Sequence, residues 1–163
     1  MRVNALEQSL FRVLQQLEKA RGRIPLILAF GSNQGPRQQA LAFARGHLAR
    51  LFGPLEFGPV METEPWGPVS QDRYLNTVML GWTLRSPWEV LFWLKKLERQ
   101  AGRQPGKRWG PRVLDLDLVF YGTLRMQTPH LTLPHPRYHE RDFVLRPLLA
   151  LLQRLGYLKD LRR

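Results

Sequence analysis

The chain of 163 residues has no cysteine and few acidic residues, with 13 aspartates and glutamates against 25 lysines and arginines. The absence of cysteine excludes disulfides and thiolate metal sites. No apolar run approaches the roughly 20 residues that a membrane-spanning helix needs. Residues 1–23 also lack the apolar block of a signal peptide. We therefore expect a cytoplasmic protein without a membrane partner.

The composition favours a globular protein that binds anions. An apolar fraction of 44% over this length supports one domain with a hydrophobic core. The formal net charge is +12, and 20 of the basic residues are arginine, whose planar fork binds phosphate at two points. Arginine-rich sequences without cysteine are also typical of heat-adapted proteins. The local placement of charge is therefore more informative than its total.

Apolar spacing predicts an N-terminal helix followed by the order strand, helix, strand, strand, helix, strand. Apolar residues three or four apart form one face of the first helix, over residues 3–20. A serine, proline and glutamate at 86, 87 and 89 form a capping box that begins another helix. The remaining predictions are strands over 25–30, 55–63, 74–84 and 113–121, a glycine turn over 31–36 that leads into a helix, a loop over 64–72, and a C-terminal helix from Pro147 to about Leu155.

This order is typical of a split βαβ repeat, which predicts a ferredoxin-like α+β sandwich of three-layer type with helices on one face of an antiparallel sheet. An extra N-terminal helix and a C-terminal helix complete it. We divide the chain into an amphipathic helical extension, 1–23, and a single domain, 24–163. The extension packs on the core, mediates self-association or comes from an upstream start codon, and packing is the favoured alternative. We expect a monomer.

The strand over 113–121 carries two aspartates with a notable spacing. Side chains alternate along a strand, so Asp115 and Asp117 share one face while the leucines between and beside them share the other. Two adjacent carboxylates repel each other unless a cation neutralises them, and their oxygen atoms suit magnesium. Magnesium commonly completes its coordination with water and substrate phosphate. A metal and phosphate site is the better interpretation, and a solvated strand face is the alternative.

Other polar residues support a phosphate site without fixing its substrate. The loop over 103–112 supplies four basic residues and no acid directly before the aspartates. The glycine turn lacks the common phosphate-binding fingerprints, so side chains must hold the phosphate. His135 stands in a proline turn, where a histidine satisfied by the backbone is the alternative. Asn76 interrupts an apolar strand face and offers a donor and an acceptor to a flat heterocycle.

These residues resemble the 6-hydroxymethyl-7,8-dihydropterin pyrophosphokinases of folate biosynthesis, also called 2-amino-4-hydroxy-6-hydroxymethyldihydropteridine diphosphokinases. The resemblance extends from Leu26 to Leu148, and its most specific motif is basic-x-Gly-Pro-Arg-x-x-Asp-Leu-Asp at 108–117. Further matches are Gly31-Ser32-Asn33, Thr63 with Gly67-Pro68, Tyr74-Leu75-Asn76, Glu98 with Gly102-Arg103, Leu133-Pro134-His135-Pro136, and Arg141 with Phe143.

The resemblance implies transfer of the diphosphate group of ATP to the hydroxymethyl oxygen of the pterin, with release of AMP. It implies that Asp115 and Asp117 bind two magnesium ions and that Arg103 and Arg112 stabilise charge at the bridging oxygen. The residues implied to bind ATP are Arg108, Leu118, Leu131, Thr132, His135 and Arg141. Those implied to bind the pterin are Thr63, Trp66, Tyr74, Asn76, Trp109 and Phe143.

Two other functions fit parts of the sequence. A ferredoxin-like RNA-binding module would agree with the basic charge, but adjacent carboxylates repel a phosphate backbone, so we expect no nucleic-acid partner. A phosphotransferase of the same architecture that acts on another heterocyclic alcohol is the second alternative, because Asn76 and Thr63 do not define one substrate.

Overall fold

The computed structural model describes residues 3–64, 72–102 and 113–158. Within these ranges the chain forms helices and short strands in nearly the predicted order. The helices are α1 (Val3–Arg21), α2 (Arg37–Phe52), α3 (Pro87–Gln100), a 3-10 turn (Tyr138–Glu140) and α4 (Asp142–Arg154). The strands are β1 (Ile24–Ser32), β2 (Glu56–Phe57), β3 (Met61–Thr63), β4 (Tyr74–Thr83), β5 (Asp115–Tyr121), β6 (Met126–Gln127) and β7 (Thr132–Leu133).

The main sheet has the strand order β2-β4-β1-β5, and β3 pairs with β4 beside β2. All of its pairings are antiparallel, which confirms the predicted α+β class. β1 lies between its two long neighbours, and every residue of it after Ile24 is buried. A continuous apolar strand is expected where helices cover both faces of a sheet. The second sheet is the small hairpin of β6 and β7.

Helices cover the main sheet on both faces: α2 and α3, the helices of the predicted repeat, share one face as expected, and the additional helices α1 and α4 cover the other. Leu48 of α2 and Leu94 of α3 pack with β-strand residues in one core cluster. Leu148 of α4 packs with α1 residues in a second cluster on the other face. The physical reason is that β1 and β4 are apolar on both sides and require two covering layers. The molecule therefore has three layers.

The first helix belongs to the hydrophobic core. Its side chains at 6, 10, 13, 14 and 17 are all buried, and they share a cluster with Ile27 of β1 and Val78 of β4. Burying an apolar side chain of this size contributes about 1.5–3 kcal/mol. α1 therefore packs on the sheet, which is one of the alternatives considered for it.

The start of α4 differs from the prediction. The helix begins at Asp142, and Pro147 lies inside it rather than at its first turn. Proline inside a helix removes one hydrogen bond and costs about 3 kcal/mol. Val144, Leu148 and Leu151 are buried at helical spacing on both sides of Pro147. Burial of this apolar face offsets the lost bond, so tertiary packing overrides the local rule.

The capping box that begins α3 is confirmed. Ser86 Oγ accepts a hydrogen bond from the Glu89 N–H at 3.2 Å, and the Glu89 side chain accepts one from the Ser86 N–H at 3.4 Å. None of the helices in the described ranges combines the length and the hydropathy that a bilayer crossing requires.

Candidate active site

Strand register brings an amide and a carboxylate to the two sides of one glycine. Gly31 of β1 is paired with Asn76 of β4 and with Asp115 of β5. Residues directly opposite each other in antiparallel strands project their side chains to the same face. Asp117 follows in the next row on this face, opposite Ala29. The Asn76–Gly31–Asp115 row therefore lies on the face that α1 and α4 cover.

Gly31 keeps the centre of this row open. A Cβ atom at this position would collide with the Asn76 side-chain oxygen and would lie 2.9 Å from the Leu75 carbonyl oxygen. The predicted glycine turn over 31–36 is therefore partly wrong, because Gly31 and Ser32 are the last residues of β1. The close approach of the Asn76 side chain, rather than a turn, requires glycine here.

Asn76 and Thr63, both predicted to bind the pterin, are in contact with each other. The Asn76 Nδ2 group donates a short hydrogen bond to Thr63 Oγ1, and the Asn76 side chain is buried. Thr63 is paired with Tyr74 on the adjacent strand, so all three lie at the same end of the sheet. The contact holds the amide plane in one orientation, which a site for a flat heterocycle needs.

The two aspartates occupy β5 as their alternation predicts. Leu114, Leu116 and Leu118 are buried against α2 and α3, while Asp115 and Asp117 are partly exposed on the opposite face. Arg141 precedes α4, and its Nη1 lies 3.7 Å from Asp117 Oδ2 with the arginine side chain 16% exposed. A guanidinium beside one of two neighbouring carboxylates creates a site where both a cation and a phosphate can be neutralised.

Glu98 of α3 fixes the strand between the aspartates. Its Oε2 accepts a hydrogen bond from the Leu116 N–H at 2.9 Å, and the residue is 1% exposed. Lys95 Nζ lies 3.5 Å from Glu98 Oε1. Sequence analysis matched Glu98 to a family without giving it a role. The sequence feature that could have indicated a role for Glu98 is its position one helical turn after Leu94, which puts a carboxylate on the apolar face of α3.

The donor set of Asp115 and Asp117 fits magnesium. Both residues offer hard oxygen ligands from one strand face, as magnesium prefers. Within residues 3–64, 72–102 and 113–158, no cluster of three or more histidine, cysteine, aspartate or glutamate side chains could hold a metal. A set of two carboxylates is typical of magnesium, which takes its other ligands from water and phosphate.

His135 is a neutral hydrogen-bond donor. Its backbone N–H donates to the Val119 carbonyl at 2.8 Å, and its Nδ1 accepts from the Arg137 N–H at 3.2 Å. Burial, and then the positive charges of Arg141 and Arg137, lower the pKa of His135 to about 4. Because Nδ1 is an acceptor in the neutral ring, the proton is on Nε2. The backbone thus satisfies one ring nitrogen and leaves Nε2–H as a donor.

An open cavity of about 450 Å³ lies beside His135, next to the β6-β7 hairpin. Thr132 also lines the cavity. Leu131 is buried instead, and its backbone N–H and its carbonyl both form hydrogen bonds with Thr128. The lining residues are Glu7, Arg125, Met126, Gln127, Thr132, Leu133, Pro134, His135, Pro136, Tyr138 and His139. Sequence analysis missed the contribution of Glu7, which comes from the N-terminal helix.

The described site residues form two groups that meet at Arg141. The first includes Asn76 and the aspartates, together with Phe143, whose ring centroid lies 5.7 Å from Arg141 Cζ. The second is centred on His135, whose pKa Arg141 lowers. Leu118 is buried within β5. Five predicted site residues lie outside the described ranges: Trp66, Arg103, Arg108, Trp109 and Arg112.

Comparisons with known proteins agree with this geometry. Residues 27–153 match the sequence model of the 7,8-dihydro-6-hydroxymethylpterin-pyrophosphokinase family. The chain is 36% identical over 132 residues to the 2-amino-4-hydroxy-6-hydroxymethyldihydropteridine pyrophosphokinase of Bacillus subtilis, covering 78% of each protein. It is 35% identical over 124 residues to the enzyme of the same name from Aquifex aeolicus, covering 76% of this chain and 78% of that one.

A longer relative comes from Arabidopsis thaliana. The chain is 41% identical over 132 residues to its mitochondrial folate synthesis bifunctional protein, covering 78% of this chain. The match spans 23% of that protein, so the chain corresponds to about a quarter of its length. The family match covers most of the fold described above, including β1, β4 and β5. The chain therefore belongs to the 7,8-dihydro-6-hydroxymethylpterin-pyrophosphokinase family.

Proposed function

We propose that this protein transfers the diphosphate group of ATP to the hydroxymethyl oxygen of 6-hydroxymethyl-7,8-dihydropterin. The products are AMP and the pterin diphosphate, and the reaction is a step of folate biosynthesis. The observation that carries this proposal is the Asn76–Gly31–Asp115 row. In this row only Gly31 of β1 separates an amide that can bind a heterocycle from a carboxylate pair suited to magnesium and phosphate.

The pterin is bound at the end of β3 and β4. Asn76 offers a donor and an acceptor to the ring edge, and its contact with Thr63 keeps it oriented. Tyr74 and Phe143 supply aromatic surface for a flat ring. Trp66 and Trp109 belong to this proposal from the resemblance alone.

The phosphates of ATP are bound between β5 and the start of α4. Asp115 and Asp117 hold two magnesium ions, which when bound neutralise phosphate charge and polarise the phosphorus under attack. Arg141 contacts phosphate oxygens as a cation, and His135 donates its Nε2–H as a neutral group. Arg103, Arg108 and Arg112 stabilise the remaining charge, as the family resemblance implies. Leu118, Leu131 and Thr132 contact the nucleoside.

The chemistry consists of one displacement at phosphorus. The hydroxymethyl oxygen forms a bond to the β-phosphorus, while the bond between that phosphorus and the α,β-bridging oxygen breaks. AMP leaves with the bridging oxygen, and the hydroxyl proton passes to solvent. The residues of the chain orient the two substrates and neutralise charge, which are the main contributions of a protein to phosphoryl transfer. The monomeric state, the cytoplasmic location and the absence of a nucleic-acid partner stay predictions.

Product analysis tests the proposal. The full chain is incubated with ATP, magnesium and the reduced pterin, and nucleotides and pterins are separated by chromatography. We expect equal amounts of AMP and pterin diphosphate, and no reaction when magnesium is omitted. Formation of ADP would contradict diphosphate transfer. Turnover of a different heterocyclic alcohol, with none of the pterin, would overturn the substrate assignment.

A further inference from the structure

A carboxylate from α1 reaches the cavity beside His135, although α1 precedes the residues that match the family. Glu7 has a side chain that is 17% exposed. Its Oε2 accepts a hydrogen bond from Arg125 Nη2 at 2.8 Å, and its Oε1 accepts one from the Tyr138 hydroxyl at 3.1 Å. One carboxylate therefore joins the N-terminal helix to two segments that follow β5 in the chain.

A second α1 residue holds the same arginine. Phe11 lies one helical turn after Glu7, and the Arg125 guanidinium carbon lies 4.5 Å from its ring centroid. The Phe11 ring in turn packs edge-on against Phe120 of β5, with centroids 6.1 Å apart. The Arg125 guanidinium is therefore held by both the Glu7 carboxylate and the face of the Phe11 ring. We refer to Glu7, Phe11, Arg125 and Tyr138 as the Glu7 cluster.

Tyr138 connects the Glu7 cluster to two residues of the phosphate site. Its side chain is 2% exposed, and burial and the Glu7 carboxylate raise the pKa of its phenol, which stays a donor. Its backbone N–H donates to the His135 carbonyl at 3.3 Å, and its carbonyl accepts from the Arg141 N–H at 3.4 Å. A shift of Tyr138 would therefore move His135 and Arg141 together.

We propose that Glu7 is a positioning residue for the nucleotide. By fixing Tyr138 and Arg125, it keeps the segment from His135 to Arg141 in the geometry that binds the triphosphate. This inference rests on the proposed function, because ATP is the ligand assigned to that segment. It predicts an effect on ATP and little effect on the pterin, whose amide contact lies on β3 and β4.

The competing explanation is that Glu7 only fastens α1 to the molecule. The buried leucines and the valine of α1 already anchor that helix. A purely structural Glu7 would change the melting temperature and leave substrate affinities as they are. A positioning Glu7 would change the KM for ATP and the affinity for an ATP analogue, which stability alone does not change.

The test uses Glu7→Gln and Tyr138→Phe in the full chain, singly and together. Glu56→Gln is the matched control, because Glu56 forms a comparable ion pair with Arg154, 3.5 Å away, on another part of the surface. The measurements are kcat, the KM of each substrate, the melting temperature, and calorimetric binding of α,β-methylene-ATP with magnesium. The analogue reports nucleotide affinity without turnover.

We expect Glu7→Gln to raise the KM for ATP and the analogue Kd by about tenfold, which corresponds to about 1.4 kcal/mol. The KM for the pterin should change less than twofold, and Glu56→Gln should match the wild type. Tyr138→Phe should raise the analogue Kd by roughly threefold. The double variant should have the same Kd as Glu7→Gln, because the two side chains act through the hydrogen bond between them.

Three outcomes would overturn the proposal. The first is a lowered melting temperature in Glu7→Gln with unchanged ATP constants, and the second is an equal change in both KM values. The third applies if Glu7→Gln does not fold. The test then depends on Tyr138→Phe, which removes a single oxygen atom, and unchanged analogue affinity in that variant would overturn the proposal. If the wild type binds the analogue without diphosphate transfer, the proposed function fails, while the Kd comparison still tests Glu7.

Discussion

The two halves of the candidate site are held in place by different means. On the proposed pterin side, Asn76 and Gly31 are positioned by the antiparallel register of β4 and β1. On the proposed nucleotide side, His135 and Arg141 lie in a segment without long strands, held by Tyr138 and through it by α1. Backbone pairing fixes the first half within the sheet. The second half has a few backbone hydrogen bonds of its own and depends in addition on side-chain contacts between distant parts of the chain.

This difference predicts how each half responds to substitution. A change on a strand should remove one contact and leave the surrounding geometry intact, because neighbouring backbone hydrogen bonds keep the register. A change in the segment from His135 to Arg141 should affect several contacts together. Substitutions can separate the two halves, beginning with Asp117, whose carboxylate lies 3.7 Å from Arg141, where the halves meet.

The largest effect is expected from Asp117→Asn, at the junction of both halves. Removing one charge from the carboxylate pair weakens its hold on magnesium and its ion pair with Arg141. We expect kcat/KM to fall by about 1,000-fold or more, with the melting temperature within a few degrees of the wild type. Steady-state AMP formation measures the loss. Asp72→Asn, at an exposed position, is the control. Normal turnover by Asp117→Asn would contradict the role proposed for the aspartate pair.

A change confined to the pterin half comes next. Asn76→Ala removes the amide and leaves the polar edge of the bound ring without a partner, a loss of about 2–3 kcal/mol, or about 30-fold to 150-fold. The KM for the pterin should rise by this factor while the KM for ATP stays within twofold. Thr77→Val is the control: it removes a polar side-chain group on the opposite face of β4, and the KM for the pterin should not change. Equal changes in both KM values would contradict the separation of the halves.

Gly31→Ala probes the row itself. The added Cβ would collide with the Asn76 amide oxygen, so the amide must shift or the strands must separate. We expect a destabilisation of about 1–3 kcal/mol and a roughly tenfold rise in the KM for the pterin. Urea denaturation and steady-state kinetics measure the two effects. Gly46→Ala serves as the control, since a Cβ at that position meets no atom within 4 Å. Wild-type pterin kinetics in Gly31→Ala would show that the row has room for a methyl group.

The smallest effect near neutral pH concerns the protonation of His135, which changes stability only below about pH 6.5. Its pKa is about 4 in the folded protein and about 6.5 when unfolded, so the unfolded state binds more protons between these values. The free energy of unfolding should therefore fall as the pH decreases from 6.5 to 4, by up to about 1.4 kcal/mol per pH unit from this group. Partial exposure reduces that slope. Above pH 6.5 this contribution should be constant.

His135→Gln should flatten the slope, since glutamine does not titrate in this range. Urea denaturation of the ligand-free protein at half-unit steps from pH 4.5 to 7.5 gives the two curves. His47→Gln is a control on the surface of α2, because His47 has no assigned role in the site. Parallel curves for wild type and His135→Gln would show that His135 does not fold as a buried neutral group.

The elements that sequence patterns identified are those governed by local rules. The alternation that places Asp115 and Asp117 opposite the leucines is a property of any strand, and the capping box at Ser86 depends on residues three positions apart. Pro147 illustrates the limit of such rules. A proline normally precedes or begins a helix, but the buried face of α4 continues past it.

The geometry of the nucleotide half could not be predicted from local sequence patterns, because it depends on contacts between residues that are far apart in the chain. Glu7 and Arg125 are 118 positions apart, and Glu7 and Tyr138 are 131 positions apart. The strand register that sets Gly31 between Asn76 and Asp115 likewise depends on pairing across the whole fold. A sequence identifies the residue types needed for such a site, whereas the tertiary structure determines which of them meet.

The hydrogen bond from Leu116 to Glu98 has a consequence for association between molecules. β5 stands at the end of the sheet order among the described strands, where outward N–H groups invite pairing with another chain. Glu98 occupies the Leu116 N–H and places a carboxylate against that edge. An incoming strand would have to displace a buried charge. The interaction that holds the aspartates in position therefore also protects the protein against edge-to-edge aggregation.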